Sequence, residues 1–219
     1  KDLHIKALTE DPVIAERWKS VKGKYPDQSD VDEMFKDFVP AQLDCLRNYT
    51  TLLPGVKDVC IDLQKQGIKL GASTGFTRAM VDVLHEDCQK QGLKLDATVA
   101  GDEVEHGARP KPHMVFRNMD LLDIDDVRSV VKCDDTTSGV GEALNAGCWG
   151  VGLVRYSNYM NINTLEEEAT LSEADMARRI AHTRHLLEQS GAHYVIDSLV
   201  ELPAVIEDIN ARLARGEKP

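Results

Sequence analysis

The sequence has no apolar run that approaches the length of a transmembrane helix, and no segment has the pattern of a secretory signal. It also has no internal repeat and no low-complexity tract. Because the sequence shows neither a membrane span nor a secretory signal, we expect no membrane partner and a cytoplasmic location. The first residue is Lys1 rather than methionine, so we expect the chain to be either processed or part of a longer protein.

The sequence has fewer positively charged than negatively charged residues. Lysine and arginine number 26 against 37 aspartates and glutamates, which gives a formal net charge of −11 at pH 7. This balance disfavours a nucleic-acid partner, because Lys and Arg supply most of the affinity for the phosphate backbone. It does not exclude a small phosphorylated substrate, since a single pocket can be locally positive.

Cysteine is sparse and irregularly spaced. The chain has five cysteines, an odd number, and no two of them form a CxxC pair. This pattern predicts reduced thiols in a cytosol-like compartment rather than a disulfide framework.

The first 50 residues carry helix signals only. Asp11-Pro12 is a typical helix start. Ser29-x-x-Asp32 resembles a capping box ahead of another apolar face, and Pro40 is expected to kink or end that helix. Residues 1–50 are therefore predicted to form a small all-helical unit.

After residue 50 the pattern alternates between helix and strand. Short apolar runs predict strands over 68–72, 97–100, 127–133, 149–154 and 193–197, with helices between them, among them one over 141–146. Strands that alternate with helices predict an α/β fold, in which helices cover both faces of a parallel sheet. Ligands of such folds bind beyond the carboxyl ends of the strands.

Polar side chains fall at three of the predicted strand ends. Ser73-Thr74 offers hydroxyls and backbone N–H groups at a helix start, which suit a phosphate oxygen. The Arg-Pro-Lys-Pro turn at 109–112 supplies cations that would balance a phosphoryl group. Asp134 and Asp135 provide carboxylates of the kind that bind Mg²⁺. Taken alone, each segment has an ordinary interpretation: helix capping, a solvated turn and an acidic loop.

The order of hydroxyl, base and carboxylate, each after a strand, resembles that of the haloacid dehalogenase superfamily. Within it, five segments are similar to the phosphonoacetaldehyde hydrolase family: GIKLGASTGFTRAM (67–80), DEVEHGARPKPHM (102–114), VVKCDDTTSGVGEALNAGCWGVGL (130–153), GAHYVID (191–197) and LPAVIEDIN (202–210). The resemblance implies a Rossmann-like parallel-sheet core of haloacid dehalogenase type over 51–219, lacking its first strand. It implies a partial helical cap domain over 1–50.

The resemblance also implies a reaction. The family cleaves the carbon–phosphorus bond of phosphonoacetaldehyde to acetaldehyde and phosphate with Mg²⁺, after a cap lysine forms a Schiff base with the aldehyde. The iminium accepts electrons while an aspartate attacks phosphorus. KDLHIKALTEDP (1–12) is similar to the cap segment around that lysine, which assigns Lys1 as the Schiff-base lysine and His4 as the nearby cap histidine.

On the phosphate side, the resemblance assigns Thr74 as the phosphate-binding hydroxyl, with Ser73 and Gly75 beside it. Arg109 takes the basic position, although one extra residue before it leaves Lys111 as an alternative. Asp135 takes the metal position. Relatives commonly pair through their caps, so a homodimer is expected.

The chain departs from the family pattern at positions that matter for the chemistry. The family's nucleophilic aspartate lies on a strand ahead of residue 1, so full activity is expected to need upstream sequence. Gly139 replaces the second aspartate of the metal loop, and Asp134 is an extra carboxylate expected to point away from the metal. Two alternatives stay open: a catalytically silent homologue that binds phosphate or phosphonate without turnover, and an ordinary phosphatase, which the KDLHIKAL segment disfavours.

Overall fold

The computed structural model describes residues 2–219, with side chains described from Ile5 onward. The N-terminal part is helical, as predicted. It consists of α1 (Asp2–Glu10), α2 (Pro12–Lys22) and α3 (Gln28–Leu46), followed by a 3₁₀ turn at Arg47–Tyr49.

Helix α2 begins and ends where its sequence signals indicate. Asp11 Oδ1 accepts hydrogen bonds from the backbone N–H groups of Val13 and Ile14 at 2.9 and 3.1 Å, and Pro12 is the first helical residue. Gly23 follows the helix with a φ of 75°, a conformation that glycine adopts without a steric penalty.

Helix α3 corrects the predicted capping box and continues through Pro40. Its capping box is formed by Asp27 and Asp30 rather than by Ser29 and Asp32, with reciprocal backbone-to-carboxylate hydrogen bonds of 3.1 and 2.9 Å. Asp27 has the extended backbone of an N-cap, so the helix starts earlier than its apolar pattern suggests. The helix does not end at Pro40, because packing against α1 and α5 outweighs one lost backbone hydrogen bond.

The remainder of the chain alternates between helices and strands. Its elements are α4 (Val56–Lys65), β1 (Gly71–Thr74), α5 (Arg78–Lys90), β2 (Ala97–Ala100), α6 (His113–Leu122), β3 (Val131–Asp134), α7 (Thr137–Ala146), β4 (Trp149–Leu153), α8 (Leu165–Thr170), α9 (Glu173–Gln189), β5 (Tyr194–Ile196) and α10 (Leu202–Ala214). The α/β prediction is confirmed, since every strand pair that these elements form is parallel.

Three element boundaries differ from the predicted ones. Strand β1 lies at the end of the predicted 68–72 run, so Ser73 and Thr74 are its last two residues rather than the turn after it. The predicted 127–133 strand divides into a 3₁₀ turn and β3. Helix α7 begins at Thr137, ahead of the predicted start at Gly141, because the Thr136 side chain caps it by accepting from the Gly139 N–H.

The strands form two parallel sheets, β1-β2 and β3-β4-β5. Within residues 2–219, β1 pairs only with β2 and β3 pairs at one edge only, with β4. Helix α6 contacts both strands of the first sheet and also α7, and the Asn118 amide donates to the Ala72 carbonyl at 3.2 Å. The carboxyl ends of β1 and β3 are therefore held at the same side of the molecule.

The largest apolar cluster joins the second sheet to α4 and α10. Its buried members are Leu63, Trp149, Val151, Ile196, Leu202, Val205 and Ile209. This core holds the strands that carry the candidate site. Across the described part of the chain, no helix combines the length and apolarity needed to cross a bilayer.

Candidate active site

Two of the three polar segments predicted from the sequence meet at the strand ends. Lys132 connects them: its Nζ lies 3.4 Å from Ser73 Oγ on β1 and 3.0 Å from Asp134 Oδ2 at the end of β3. The hydroxyl and carboxylate segments therefore belong to one site, as the rule for parallel sheets requires.

The third segment reaches the same place through Arg109. Its Nη1 lies 2.7 Å from Asp134 Oδ2, and its side chain is 22% exposed. Lys111 instead donates to the His106 carbonyl at 2.6 Å, on an exposed surface. The structure thus brings Arg109, and not Lys111, to the acidic strand end.

The turn after β1 is compact and open on one side. Thr74 Oγ1 accepts a hydrogen bond from the Phe76 N–H at 3.3 Å, and the Gly101 N–H donates to the Phe76 carbonyl at 2.9 Å. A Cβ added at Gly101 would lie 3.0 Å from the Gly75 Cα, whereas a Cβ at Gly75 would meet no atom within 4 Å. The open side of Gly75 leaves room for a ligand to approach the backbone.

The Asp134 side chain lies among the basic residues of the site. Its carboxylate receives hydrogen bonds from Arg109, Lys132 and both the backbone N–H and the hydroxyl of Thr136. Burial alone would raise the pKa of Asp134, but the charges of Lys132 and Arg109 outweigh it and hold the pKa below its ordinary value. Asp134 is thus ionised and fully engaged.

Asp135 has a contrasting environment. Burial raises the pKa of its carboxyl group, and the charge of Asp134 raises it further. Its backbone is anchored by the Ser157 hydroxyl, which donates to the Asp135 carbonyl at 2.6 Å. A bound cation would offset the repulsion between the two carboxylates, and Asp134 already pairs with Arg109 and Lys132, so Asp135 fits the metal role better than Asp134.

Few of the described side chains could coordinate a metal ion at this site. No cluster of three or more His, Cys, Asp or Glu side chains suited to a metal occurs in the described part of the chain. Mg²⁺ is often held by one or two carboxylates, with waters and substrate phosphate oxygens completing its shell. Asp135 fits as one such ligand.

Sequence reasoning missed Lys132 and Glu142. Lys132 Nζ lies 3.2 Å from Glu142 Oε2, and the two side chains are 9% and 0% exposed. Burial raises the pKa of Glu142, while the charge of Lys132 opposes that effect. One signal was available: Lys132 stands two residues before Asp134 in an apolar run, and side chains two apart on a strand share a face.

The two cap residues assigned from the resemblance are not placed by the structure. Lys1 lies outside the described residues. His4 lies in α1, but its side chain belongs to the part that is not described.

Comparisons with known proteins identify the family of the chain. A family model for haloacid dehalogenase-like hydrolases matches residues 12–152. Phosphonoacetaldehyde hydrolases from Salmonella paratyphi A and Klebsiella pneumoniae are 39% and 38% identical over 216 residues, which cover 99% of this chain and 80% of theirs.

Solved structures give the same result. A phosphonoacetaldehyde hydrolase-like protein from Oleispira antarctica superposes with a TM-score of 0.95 at 35% identity, over 100% of this chain and 78% of that one. A β-phosphoglucomutase from Clostridium difficile, at 16% identity and a TM-score of 0.58 over 86% of this chain and 70% of its own, shares the fold alone. The chain belongs to the phosphonoacetaldehyde hydrolase family of haloacid dehalogenase-like hydrolases.

Proposed function

We propose that this protein hydrolyses the carbon–phosphorus bond of phosphonoacetaldehyde to acetaldehyde and phosphate. The observation that carries the proposal is the position of Arg109, whose guanidinium lies at the end of β3 beside the residue that precedes Asp135. The names of the relatives at 38% and 39% identity support the choice of substrate.

Several of the described residues would bind the phosphonate group together. Thr74 and Ser73 would donate hydroxyl hydrogen bonds to phosphonate oxygens, and the open side of Gly75 would admit the ligand. The Arg109 guanidinium would bind a further oxygen and offset the negative charge of the phosphoryl group. Asp135 would hold Mg²⁺, which when bound neutralises charge on the transferring phosphoryl group.

Lys1 and His4 would act on the aldehyde. The Lys1 amine would condense with the carbonyl carbon to form an imine and release water, and His4 would move a proton in that step. The iminium would then accept the electron pair of the breaking carbon–phosphorus bond, as the phosphoryl group passes to the aspartate that the resemblance places ahead of residue 1. The resulting enamine would take up a proton at the carbon that phosphorus left. One water would then hydrolyse the imine to acetaldehyde and the free Lys1 amine, and a second water would hydrolyse the aspartyl phosphate to phosphate.

We further propose that residues 1–50 are a cap domain, that residues 51–219 are the core, and that two copies pair through their caps. Val13 and Val21 on α2 are each 77% exposed, and we propose that they take part in this contact. Replacing both with aspartate should convert a dimer to a monomer in analytical ultracentrifugation, whereas an unchanged mass would contradict pairing through α2.

A cytoplasmic location remains part of the proposal. All five cysteines are free thiols in the structure, which suits a reducing compartment. Four of them, Cys60, Cys88, Cys133 and Cys148, have a pKa raised first of all by burial, so they are weak nucleophiles.

The test is phosphate release from phosphonoacetaldehyde by the full natural protein with Mg²⁺. Borohydride should trap a covalent adduct on the wild type, and Lys1→Arg should abolish both the adduct and the turnover. Undiminished turnover by Lys1→Arg would exclude the Schiff-base role of Lys1.

A silent homologue is the second candidate, and one observation favours it. Asp134 already neutralises Arg109, and Gly139 offers no carboxylate to the metal loop. This candidate predicts that phosphate binds without any turnover of phosphonoacetaldehyde. Titration calorimetry run beside the turnover assay separates the two candidates.

A further inference from the structure

We propose that Asp134 is an internal counter-ion that competes with the phosphoryl group for Arg109, and that Gly139 provides the space it occupies. The inference rests on the proposed function only in taking Arg109 as the cation that binds phosphate. It concerns the strength of anion binding, and not the bond that is cleaved.

The Asp134 carboxylate is fixed from two sides. Oδ1 accepts from the Thr136 N–H and hydroxyl at 3.0 and 2.7 Å, and Oδ2 accepts from Arg109 and Lys132 at 2.7 and 3.0 Å. The residue is 7% exposed. Because four hydrogen bonds hold it in a nearly dry position, it keeps its place beside Arg109 when an anion arrives.

Lys132 is surrounded by acceptors and nearly buried, whereas Arg109 is the more exposed cation that an anion can reach. Lys132 Nζ lies 3.0 Å from Asp134 Oδ2, 3.2 Å from Glu142 Oε2 and 3.4 Å from Ser73 Oγ. Arg109 has five N–H donors, contacts Asp134 through Nη1 and is 22% exposed. An incoming phosphate can therefore bind Arg109, but against the negative charge of a fixed carboxylate a few ångström away.

Gly139 allows this arrangement. A Cβ at position 139 would lie 1.8 Å from Asp134 Cγ and 2.0 and 2.1 Å from its two oxygens. Gly139 lies in helix α7, outside the left-handed region, so its backbone conformation does not demand glycine. The requirement for glycine comes from the carboxylate that fills the space of a side chain.

We therefore expect this site to bind inorganic phosphate more weakly than it would without the charge of Asp134. A fixed like charge opposes every anion that approaches Arg109, including the phosphate product. Removing the charge, or displacing it, should make phosphate bind more tightly.

The test measures the dissociation constant of inorganic phosphate by titration calorimetry, on the full natural protein with Mg²⁺ at fixed pH and ionic strength. Asp134→Asn keeps the shape and removes the charge, and we expect phosphate to bind about tenfold more tightly. Gly139→Ala keeps every charge and pushes the carboxylate away, so we expect a change in the same direction of about threefold. Thermal unfolding of each variant shows that it is folded, and either variant alone suffices if the other does not fold.

Asp126→Asn is the matched control, because Asp126 also pairs with an arginine, Arg128, but is exposed and lies before β3. Its phosphate affinity should match that of the wild type. The proposal is overturned if phosphate binds the folded Asp134→Asn and Gly139→Ala variants no more tightly than the wild type, or binds none of the proteins. The proposed function fails separately, if phosphate affinity follows these substitutions but phosphonoacetaldehyde is never hydrolysed.

Discussion

The guanidinium of Arg109 and the ammonium of Lys132 share one carboxylate oxygen, Oδ2 of Asp134, at 2.7 and 3.0 Å. One residue comes from the turn before α6 and the other from β3, so this oxygen joins the second and third polar segments of the site. The Lys132 ammonium also lies 3.2 Å from Glu142 Oε2 on α7 and 3.4 Å from Ser73 Oγ on β1. The charges of Arg109, Lys132, Asp134 and Glu142 sum to zero, which lets these four groups be largely buried together.

Arg109 and Lys111 should differ sharply when each is replaced by glutamine. Arg109→Gln removes the cation at the strand end, and we expect inorganic phosphate to bind about 10- to 100-fold more weakly. Lys111→Gln should leave the affinity unchanged, since Lys111 contacts a surface carbonyl. Titration calorimetry measures both variants, and equal losses in the two would show that Arg109 is not the phosphate-binding cation.

Lys132 and Glu142 should be coupled in stability. Lys132→Met strands the fully buried Glu142 carboxylate, and we expect the free energy of unfolding to fall by about 3–5 kcal/mol. The double variant Lys132→Met/Glu142→Gln should recover part of that loss, because no unpaired charge remains. Urea unfolding gives the values.

The control for this pair is Lys65→Met, which breaks an exposed pair with Asp62. It should cost less than about 1 kcal/mol. Additive losses in the double variant would argue that Lys132 and Glu142 do not depend on each other.

The sequence predicted the layout of the core because local pattern and tertiary environment agree there. The runs at 97–100 and 149–154 are apolar and bounded by turn residues, and they form β2 and β4 almost to the residue. The ends of parallel strands meet at one edge, so the convergence of Ser73, Arg109 and Asp134 followed from the fold class.

What the sequence could not predict depends on contacts between distant residues. The direction of Asp134 is set by Arg109, which is 25 residues away in the sequence, and by the empty space at Gly139. In the sequence, nothing distinguishes Glu142 from an exposed polar residue of a helix. It is buried because α7 packs on β3. The continuation of α3 through Pro40 is likewise decided by packing, which local preference does not contain.

Mg²⁺ should stabilise the folded protein through Asp135. A cation at 100 times its dissociation constant adds about 2.7 kcal/mol to the stability of a protein that binds it only when folded. We expect the melting temperature to rise with Mg²⁺ and to return after chelation. Asp135→Asn should abolish this response, and Asp125→Asn, a loop carboxylate ahead of β3, should retain it.

The stability of Asp135→Asn without Mg²⁺ reports on the repulsion between Asp135 and Asp134. Asp135→Asn removes a half-buried negative charge beside Asp134, so without Mg²⁺ it should unfold no lower than the wild type. A full Mg²⁺ response in Asp135→Asn would assign the metal to other residues.

His193 should make stability depend on pH. Its Nδ1 accepts a hydrogen bond from the Gly150 N–H at 2.9 Å, so the neutral ring is the form that fits. Burial lowers the pKa of His193 below its ordinary value of 6.5, and the charge of Arg212 lowers it further. The unfolded chain therefore binds the proton more readily, and the stabilising contribution is complete above pH 6.5 and is lost as the pH falls through the folded-state pKa.

Urea unfolding at a series of pH values from 8 downward measures this effect. His193→Gln keeps an acceptor for the Gly150 N–H but cannot titrate, so its stability should fall less steeply below pH 6.5 than that of the wild type. His182→Gln, at an exposed position on α9, should follow the wild-type curve. If the His193→Gln and wild-type curves stay parallel, the hydrogen bond between β4 and the residue before β5 does not govern the acid sensitivity of the fold.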